Sequence, residues 1–189
     1  MGADQRQVVS LAILDNSVIR ALYHLSLFEK LNLLYQRVLI PESVQREFLA
    51  VSDPFEQTRR FRFLTYALDE HRRWFQVCRE HDTSLMKILM AARAAGGHQL
   101  DEGEAEALSQ NSVLGNIADV LLDERRGRKY ASTANIPHHG VLHILAVLDV
   151  RLRACDYFQV VDALVNTHGV FFSSNVIEYV HAKVKKDWA

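Results

Sequence analysis

Short apolar runs alternate with stretches of helical period along this chain. Val8, Val9, Leu11, Ala12, Ile13 and Leu14 make the first run, a predicted strand over 8–14. Helix-compatible sequence follows from Asn16 and Ser17, with Val18, Ile19, Leu22 and Leu25 at helical spacing, and a second helix is predicted over 27–36. Residues 37–40 read as a short strand, after which Pro41 opens a helix at its first position with Val44 and Phe48 facing inward. The pattern then predicts a helix over 54–73, a strand over 75–78, and a helix over 84–95 stopped by Gly96 and Gly97. Next come a helix from Asp101 to Leu114, a strand over 120–122, and a charged helix over 124–131. A strand near 135–139, an apolar helix from Val141, and helices near 157–167 and 174–186 complete the chain. Strands that alternate with helices in this way build a parallel sheet covered on both faces.

Two of the strands deliver a carboxylate to their carboxyl ends, Asp15 after the first and Asp123 after 120–122. Ligands of open α/β sheets bind at those ends. Paired acids there repel one another unless a cation lies between them, which points to a metal ion. Asp119 lies at the opposite end of the same strand, about 13 Å away at ~3.3 Å per residue, and is left out of the site.

Composition narrows this picture. At 189 residues with 49% hydrophobic positions, the chain is expected to be a single domain over 1–189, its last helices, 157–189, packed on the rest. A net charge of -1 argues against a broad basic footprint, although local patches survive such an average. Cys78 and Cys155 have no CxxC spacing, which favours a reducing compartment and excludes a cysteine-rich zinc site. With no leader pattern and no apolar run near ~20 residues, a cytoplasmic location and no membrane association are expected.

Each acid also has a local reading. Asp15 suits an N-cap, and Asp123 suits one before a helix starting at Glu124. Asp101 to Glu104 fits a capping box, with Glu104 reaching back to the cap amide. Glu47, beside Phe48, reads alone as a solvated helix residue. The argument rests on their combination.

That combination resembles the PIN-domain nucleases. Leu14-Asp15-Asn16-Ser17-Val18-Ile19 is similar to the family's strand ending in Asp-x-Ser. Leu39-Ile40-Pro41-Glu42-Ser43-Val44-Gln45-Arg46-Glu47-Phe48 is similar to its Ile-Pro-x-x-Val-x-x-Glu-Leu element. Leu100 to Leu108 and Leu121 to Arg128 look most like a subfamily related to toxin ribonucleases of toxin–antitoxin modules, as does the tail from Gly169 to Asn175. The resemblance implies a three-layer α/β/α fold around a parallel sheet of four to five strands. It also implies a catalytic quartet carried over onto Asp15, Glu47, Glu104 and Asp123. Glu124 competes with Asp123 for the last place, because the Thr that usually precedes that acid is missing here. The stretch between Glu47 and Glu104 is longer than in compact toxins.

On this reading the protein is a ribonuclease dependent on Mg²⁺ or Mn²⁺, hard cations suited to a cluster of carboxylates. Asp15, Glu104 and Asp123 or Glu124 are the expected metal ligands, Glu47 completes the anionic pocket, and Ser17 supports Asp15. Arg125, Arg126 and Arg128 are expected to meet RNA phosphates, the alternative being a solvated helix face. RNA, a small antitoxin and a second copy of the chain are the expected partners. Arg59, Arg60, Arg62, Arg72 and Arg73, interleaved with Phe61, Phe63 and Trp74, read either as a single-stranded RNA surface or as an amphipathic helix with buried aromatics. His138, His139 and His143 lack a zinc pattern and are read as loop and helix-entry residues. A phosphatase of the haloacid-dehalogenase type would carry a second Asp where Ser17 stands. The remaining rivals are a PIN-like protein without turnover that binds nucleic acid or regulates, and a partner-binding component whose exposed apolar parts of residues 54–95 dock an antitoxin or a second copy.

Overall fold

The computed structural model of the chain describes residues 11–91 and 100–188. Among the described residues, five parallel strands form one sheet: β1 (Leu11–Leu14), β2 (Arg37–Pro41), β3 (Phe75–Cys78), β4 (Asp119–Leu121) and β5 (His138–His139). Their spatial order is β3-β2-β1-β4-β5. The chain winds outward from β1 on one side through β2 and β3, then crosses back to β4 and β5 on the other. The reversal lies between β1 and β4, where Ile13 pairs with Val120 and Leu14 with Leu121. Parallel doubly wound sheets open their ligand crevice at such a switch point.

The period-2 alternation of the strands sorts residues onto two faces. Ala12, Leu14, Val38, Ile40 and Leu121 enter one core; Ile13, Leu39, Val120 and Leu122 enter the other. The first core is covered by α1 (Asn16–His24), α2 (Glu42–Leu49), α3 (Pro54–Glu70), α7 (Val141–Val150), α8 (Tyr157–Asn166) and α9 (Ser174–Asp187). The second is covered by α4 (Thr83–Ala91), α5 (Glu102–Val113) and α6 (Arg125–Thr133). The architecture is therefore a three-layer α/β/α sandwich, as the pattern predicts.

Several boundaries differ from the predicted ones. The expected helix over 27–36 is a 3-10 helix, Phe28–Leu33, because its apolar residues Phe28 and Leu31 recur every three residues and bury while Leu33 is left outside. Pro41 closes β2 and caps α2, rather than occupying the first helical position. The helix expected over 54–73 ends at Glu70, and the 135–139 strand shrinks to two residues. Strand β4 begins one residue early, at Asp119, whose buried carboxylate accepts from the Tyr35 hydroxyl at 2.7 Å and pairs with His139 Nδ1 at 2.8 Å. The His139 ring stacks on His143 at 3.9 Å, so these histidines belong to the sheet edge and α7. The start of the predicted 8–14 strand and the Gly96-Gly97 stop lie outside the described residues.

Phe48 anchors α2, the helix that carries Glu47. Its ring is fully buried and meets Tyr23 edge-on at 5.5 Å. The Arg60 guanidinium lies 5.1 Å above it and donates to the Phe48 carbonyl at 3.1 Å. Phe48→Ala is expected to cost about 3–5 kcal/mol. That corresponds to a melting temperature lower by roughly 6–20 °C in thermal unfolding; a shift under about 3 °C would contradict this packing role.

Candidate active site

Strand β1 ends at Leu14, and the next residue, Asp15, is 3% exposed. Its backbone N–H donates to the Leu121 carbonyl at 2.9 Å, which continues the β1–β4 ladder one step beyond the strands. The carboxylate turns back as the N-cap of α1: Oδ2 accepts from the Ser17 hydroxyl at 2.6 Å and from the Ser17 N–H at 3.2 Å. The same hydroxyl accepts from the Asp123 N–H at 3.4 Å, so Ser17 ties the ends of the two central strands together. The capping reading of Asp15 holds, and the cap places its buried carboxylate at the carboxyl end of β1.

Glu104 closes the predicted capping box. Its N–H donates to Asp101 Oδ1 at 2.8 Å, and its Oε2 accepts from the Asp101 N–H at 3.4 Å. Its Oε1 accepts from the Gly127 N–H at 3.2 Å, at the start of α6. Burial, then the charges of Asp101 and Asp15, raise its carboxyl to about 7. Asp123 does not cap the helix that follows it; Glu124 takes that place, without a side-chain bond. Asp123 instead reaches across to α7, where Oδ1 accepts from the Val141 N–H at 3.0 Å. Burial pushes Asp123 up to about 6, against the Val141 amide and the Arg128 guanidinium, which pull it down.

Glu47 is half-buried on α2. Burial raises its carboxyl first, then Asp101 and Asp15. Glu124 is exposed at the head of α6 and repels both Glu104 and Asp123. The charge of Asp15 raises Glu47, Glu104 and Asp123, and that of Glu124 raises Glu104 and Asp123, so these acids stand near enough at one rim of the sheet to repel. Among the described residues, no three His, Cys, Asp or Glu side chains close around a single ion position as they stand. The expected direct convergence of Asp15, Glu104 and Asp123 is not present in these rotamers. Backbone amides hold one oxygen of Asp123 and both oxygens of Glu104.

Sequence reasoning missed Asp101. It faces the same space, raising Asp15, Glu47 and Glu104 together. A Cβ on Gly103 would lie 3.5 Å from Asp15 Oδ1 and 3.6 Å from Asp101 Oδ1. Its position as the cap of α5 hid this second part, although it stands inside the same motif as Glu104. Glu106, also missed, is buried and accepts from the Ser43 N–H at 2.8 Å, so it caps α2 and secures that helix against α5.

The basic residues divide. Arg128 approaches Asp123, whereas Arg125 and Arg126 are exposed without an ion pair among the described residues. The donor set is all oxygen, crowded and short of cations, with burial and mutual repulsion holding four carboxyls above their ordinary values. Such a set fits a hard divalent cation, whose charge would relieve the repulsion.

No helix among the described residues is long and apolar enough to cross a membrane. A search of curated proteins finds no match to the chain. The DUF3368 family model, a PIN domain, matches residues 11–186, almost the whole chain. PIN domains are in general metal-using nucleases that act on nucleic acids, and the carboxylate rim lies where such a sheet binds its ligand. The chain belongs to the PIN-domain family.

Proposed function

We propose that the protein is an endoribonuclease dependent on Mg²⁺ or Mn²⁺ that hydrolyses RNA phosphodiester bonds at the carboxylate rim. The observation that carries this reading is the gathering of Asp15, Glu47, Glu104 and Asp123 from four separate elements at the β1–β4 switch point. Asp15 and Asp123 would hold the ion, and Glu104 would ligate it or orient its water. Glu47, Asp101 and Glu124 would complete the anionic wall. The bound cation would supply a nucleophilic water near neutral pH and neutralise charge on the phosphate. Ser17 fixes the Asp15 carboxylate and the Asp123 backbone together, so the two strand ends stay in register. Gly127 and Val141 donate amides that hold Glu104 and Asp123 in place. Arg125 and Arg126 would meet substrate phosphates. A cytoplasmic toxin of a toxin–antitoxin pair, able to form a homodimer, is the setting that suits this activity. Incubating purified protein with RNA, with and without Mn²⁺, tests the proposal: cleavage must appear with the ion and stop with chelator.

The engagement of Glu104 and Asp123 by backbone amides favours a second reading, a PIN protein that binds nucleic acid without cutting it. Saturable RNA binding with no cleavage at any Mg²⁺ or Mn²⁺ concentration would select it.

Stability offers an independent readout of the ion. Glu104 ionises near 4.5 when unfolded and about 7 when folded. Between those values the folded state keeps a proton that the unfolded chain releases, so its contribution is full below pH ~4.5 and is lost as pH rises through ~7. Glu104→Gln lacks this penalty. From pH 5 to pH 8 in chelator, its melting temperature is expected to move in its favour relative to wild type by roughly 2–8 °C, about 1–2 kcal/mol after solvent screening. At pH 8, Mn²⁺ at about 100 times its Kd should stabilise the wild type by ~2.7 kcal/mol, and the variant by less. A pH-independent gap between the two proteins would contradict the charge-crowding account.

A further inference from the structure

Helix α3 divides the basic–aromatic zone in two. Phe63 and Trp74 pack on the core, and Arg60 is 5% exposed, its Nε 3.0 Å from Glu56 and its Nη1 on the Phe48 carbonyl. Those residues are structural. The opposite face of the helix is different. Phe55, Arg59, Arg62 and Tyr66 recur at i, i+4, i+7 and i+11, and all four are exposed, Phe55 at 72% and Tyr66 at 53%. They form one stripe, because those offsets return to the same side of a helix with 3.6 residues per turn. The Arg59 guanidinium lies 6.0 Å from the centre of the Phe55 ring and pairs with Glu56 at 3.8 Å, its side chain 63% exposed to solvent. Arg62 has no ion pair among the described residues.

This stripe is joined to the carboxylate rim. An open groove of about 490 Å³ runs between α1 and the α2–α3 connection, lined among others by Asn16, Arg20, Glu47, Asp53 and Arg60. Glu47 belongs to the acidic cluster, and Asp53 is the N-cap of α3, two residues before Phe55. Arg20 is exposed in the groove with no ion pair among the described residues. Asn16 also lines the groove, its Oδ1 buried and without a hydrogen-bond partner among the described residues.

We propose that the groove at Arg20 and the Phe55–Arg59–Arg62–Tyr66 face of α3 form a binding track for single-stranded RNA, leading the strand to the carboxylate rim. Arginines take the phosphates, and Phe55 and Tyr66 offer rings on which unpaired bases stack. Duplex RNA keeps its base faces inside the helix, so the two exposed aromatics select an unpaired strand. From Phe55 to Tyr66 the stripe is about 16 Å long at ~1.5 Å per residue. That accommodates about four or five nucleotides at the ~3.4 Å spacing of a stacked strand. The track rests on the ribonuclease reading for its purpose but makes its own claim about binding.

The test measures fluorescence anisotropy of a labelled 12-nucleotide single-stranded RNA with the full chain in chelator, where no cleavage interferes. Arg59→Ala with Arg62→Ala should weaken binding about tenfold or more and lower the slope of log K against log salt by ~1.4, at ~0.7 per phosphate contact. Phe55→Ala with Tyr66→Ala should weaken binding roughly five- to 150-fold per stacked base while leaving that slope unchanged. Lys185→Ala with Lys186→Ala, on exposed positions of α9, should bind like wild type. The track is overturned if both α3 variants bind like wild type, if the α9 variant weakens binding as much, or if a blunt duplex of the same length binds as tightly. These binding results stand whether or not cleavage occurs in Mn²⁺, so failure of the track and failure of the ribonuclease reading are told apart.

Discussion

Asp15→Asn is expected to reduce metal-dependent RNA cleavage by about a thousandfold or more, the loss of roughly 4 kcal/mol of transition-state stabilisation. The fold should survive. Asn is nearly isosteric, and its amide oxygen still accepts the Ser17 hydroxyl and N–H that the carboxylate holds at 2.6 and 3.2 Å. Removing one charge from a crowded, buried cluster even favours the metal-free folded state, because burial raises the Asp15 carboxyl above its ordinary range. The combination is diagnostic: equal or higher melting temperature in chelator, smaller stabilisation by Mn²⁺, and cleavage near background. A nuclease-free preparation of the variant that turns over RNA at the wild-type rate would remove Asp15 from the reaction. Loss of cleavage together with a collapsed thermal transition would instead reduce it to a helix cap.

Gly127→Ala is expected to show the opposite of the usual glycine-to-alanine outcome. Gly127 lies in the first turn of α6, where Ala is intrinsically favoured by up to ~1 kcal/mol in a helix interior. A Cβ there would stand 2.4 Å from Glu104 Oε1 and 2.7 Å from the Leu122 side chain, so the Glu104 carboxylate must move. Cleavage should fall about 10- to 100-fold, the usual cost of disturbing a group that orients a metal ligand. Stability should change by no more than about 1–2 kcal/mol. Activity within twofold of wild type would show that Glu104 has no required position. Gly140 plays the same part for Asp123, since a Cβ there would stand 2.4 Å from its Oδ1. Two acids of the cluster are therefore seated against backbone with no room for a side chain between.

Much of this was readable before any coordinates. Strand β3, the start of α5 at its capping box and the parallel three-layer plan follow from local hydrophobic period and cap chemistry, which act within a few residues. The boundary errors have local causes too. Pro41 obeys both strand and helix preferences, and Leu33 continues an apolar pattern that a 3-10 turn leaves exposed. The mixed composition of the 59–74 zone supported two readings, and packing decides only which side chains are inward: Phe63 and Trp74 pack on the core, whereas Phe61 is exposed.

The candidate site divides along the same line. That Asp15 and Asp123 would stand at strand ends was evident from sequence, because an apolar run followed by an acid and a helix specifies its own geometry. Which groups each acid touches was not. By local sequence Asp123 suits the cap of the next helix; its carboxylate instead accepts at the start of α7 because β5 lies beside β4 and delivers Gly140 and Val141 to it. Asp101 joins the cluster because α5 lies over the end of β1, so that its charge reaches Asp15, 86 positions away in the chain. Secondary structure and the presence of acids at chain reversals come from short-range sterics and hydrogen bonding, which the order of residues encodes directly. The shared electrostatic field of the rim depends on distances between remote segments, and only the folding of the sheet brings those distances into being.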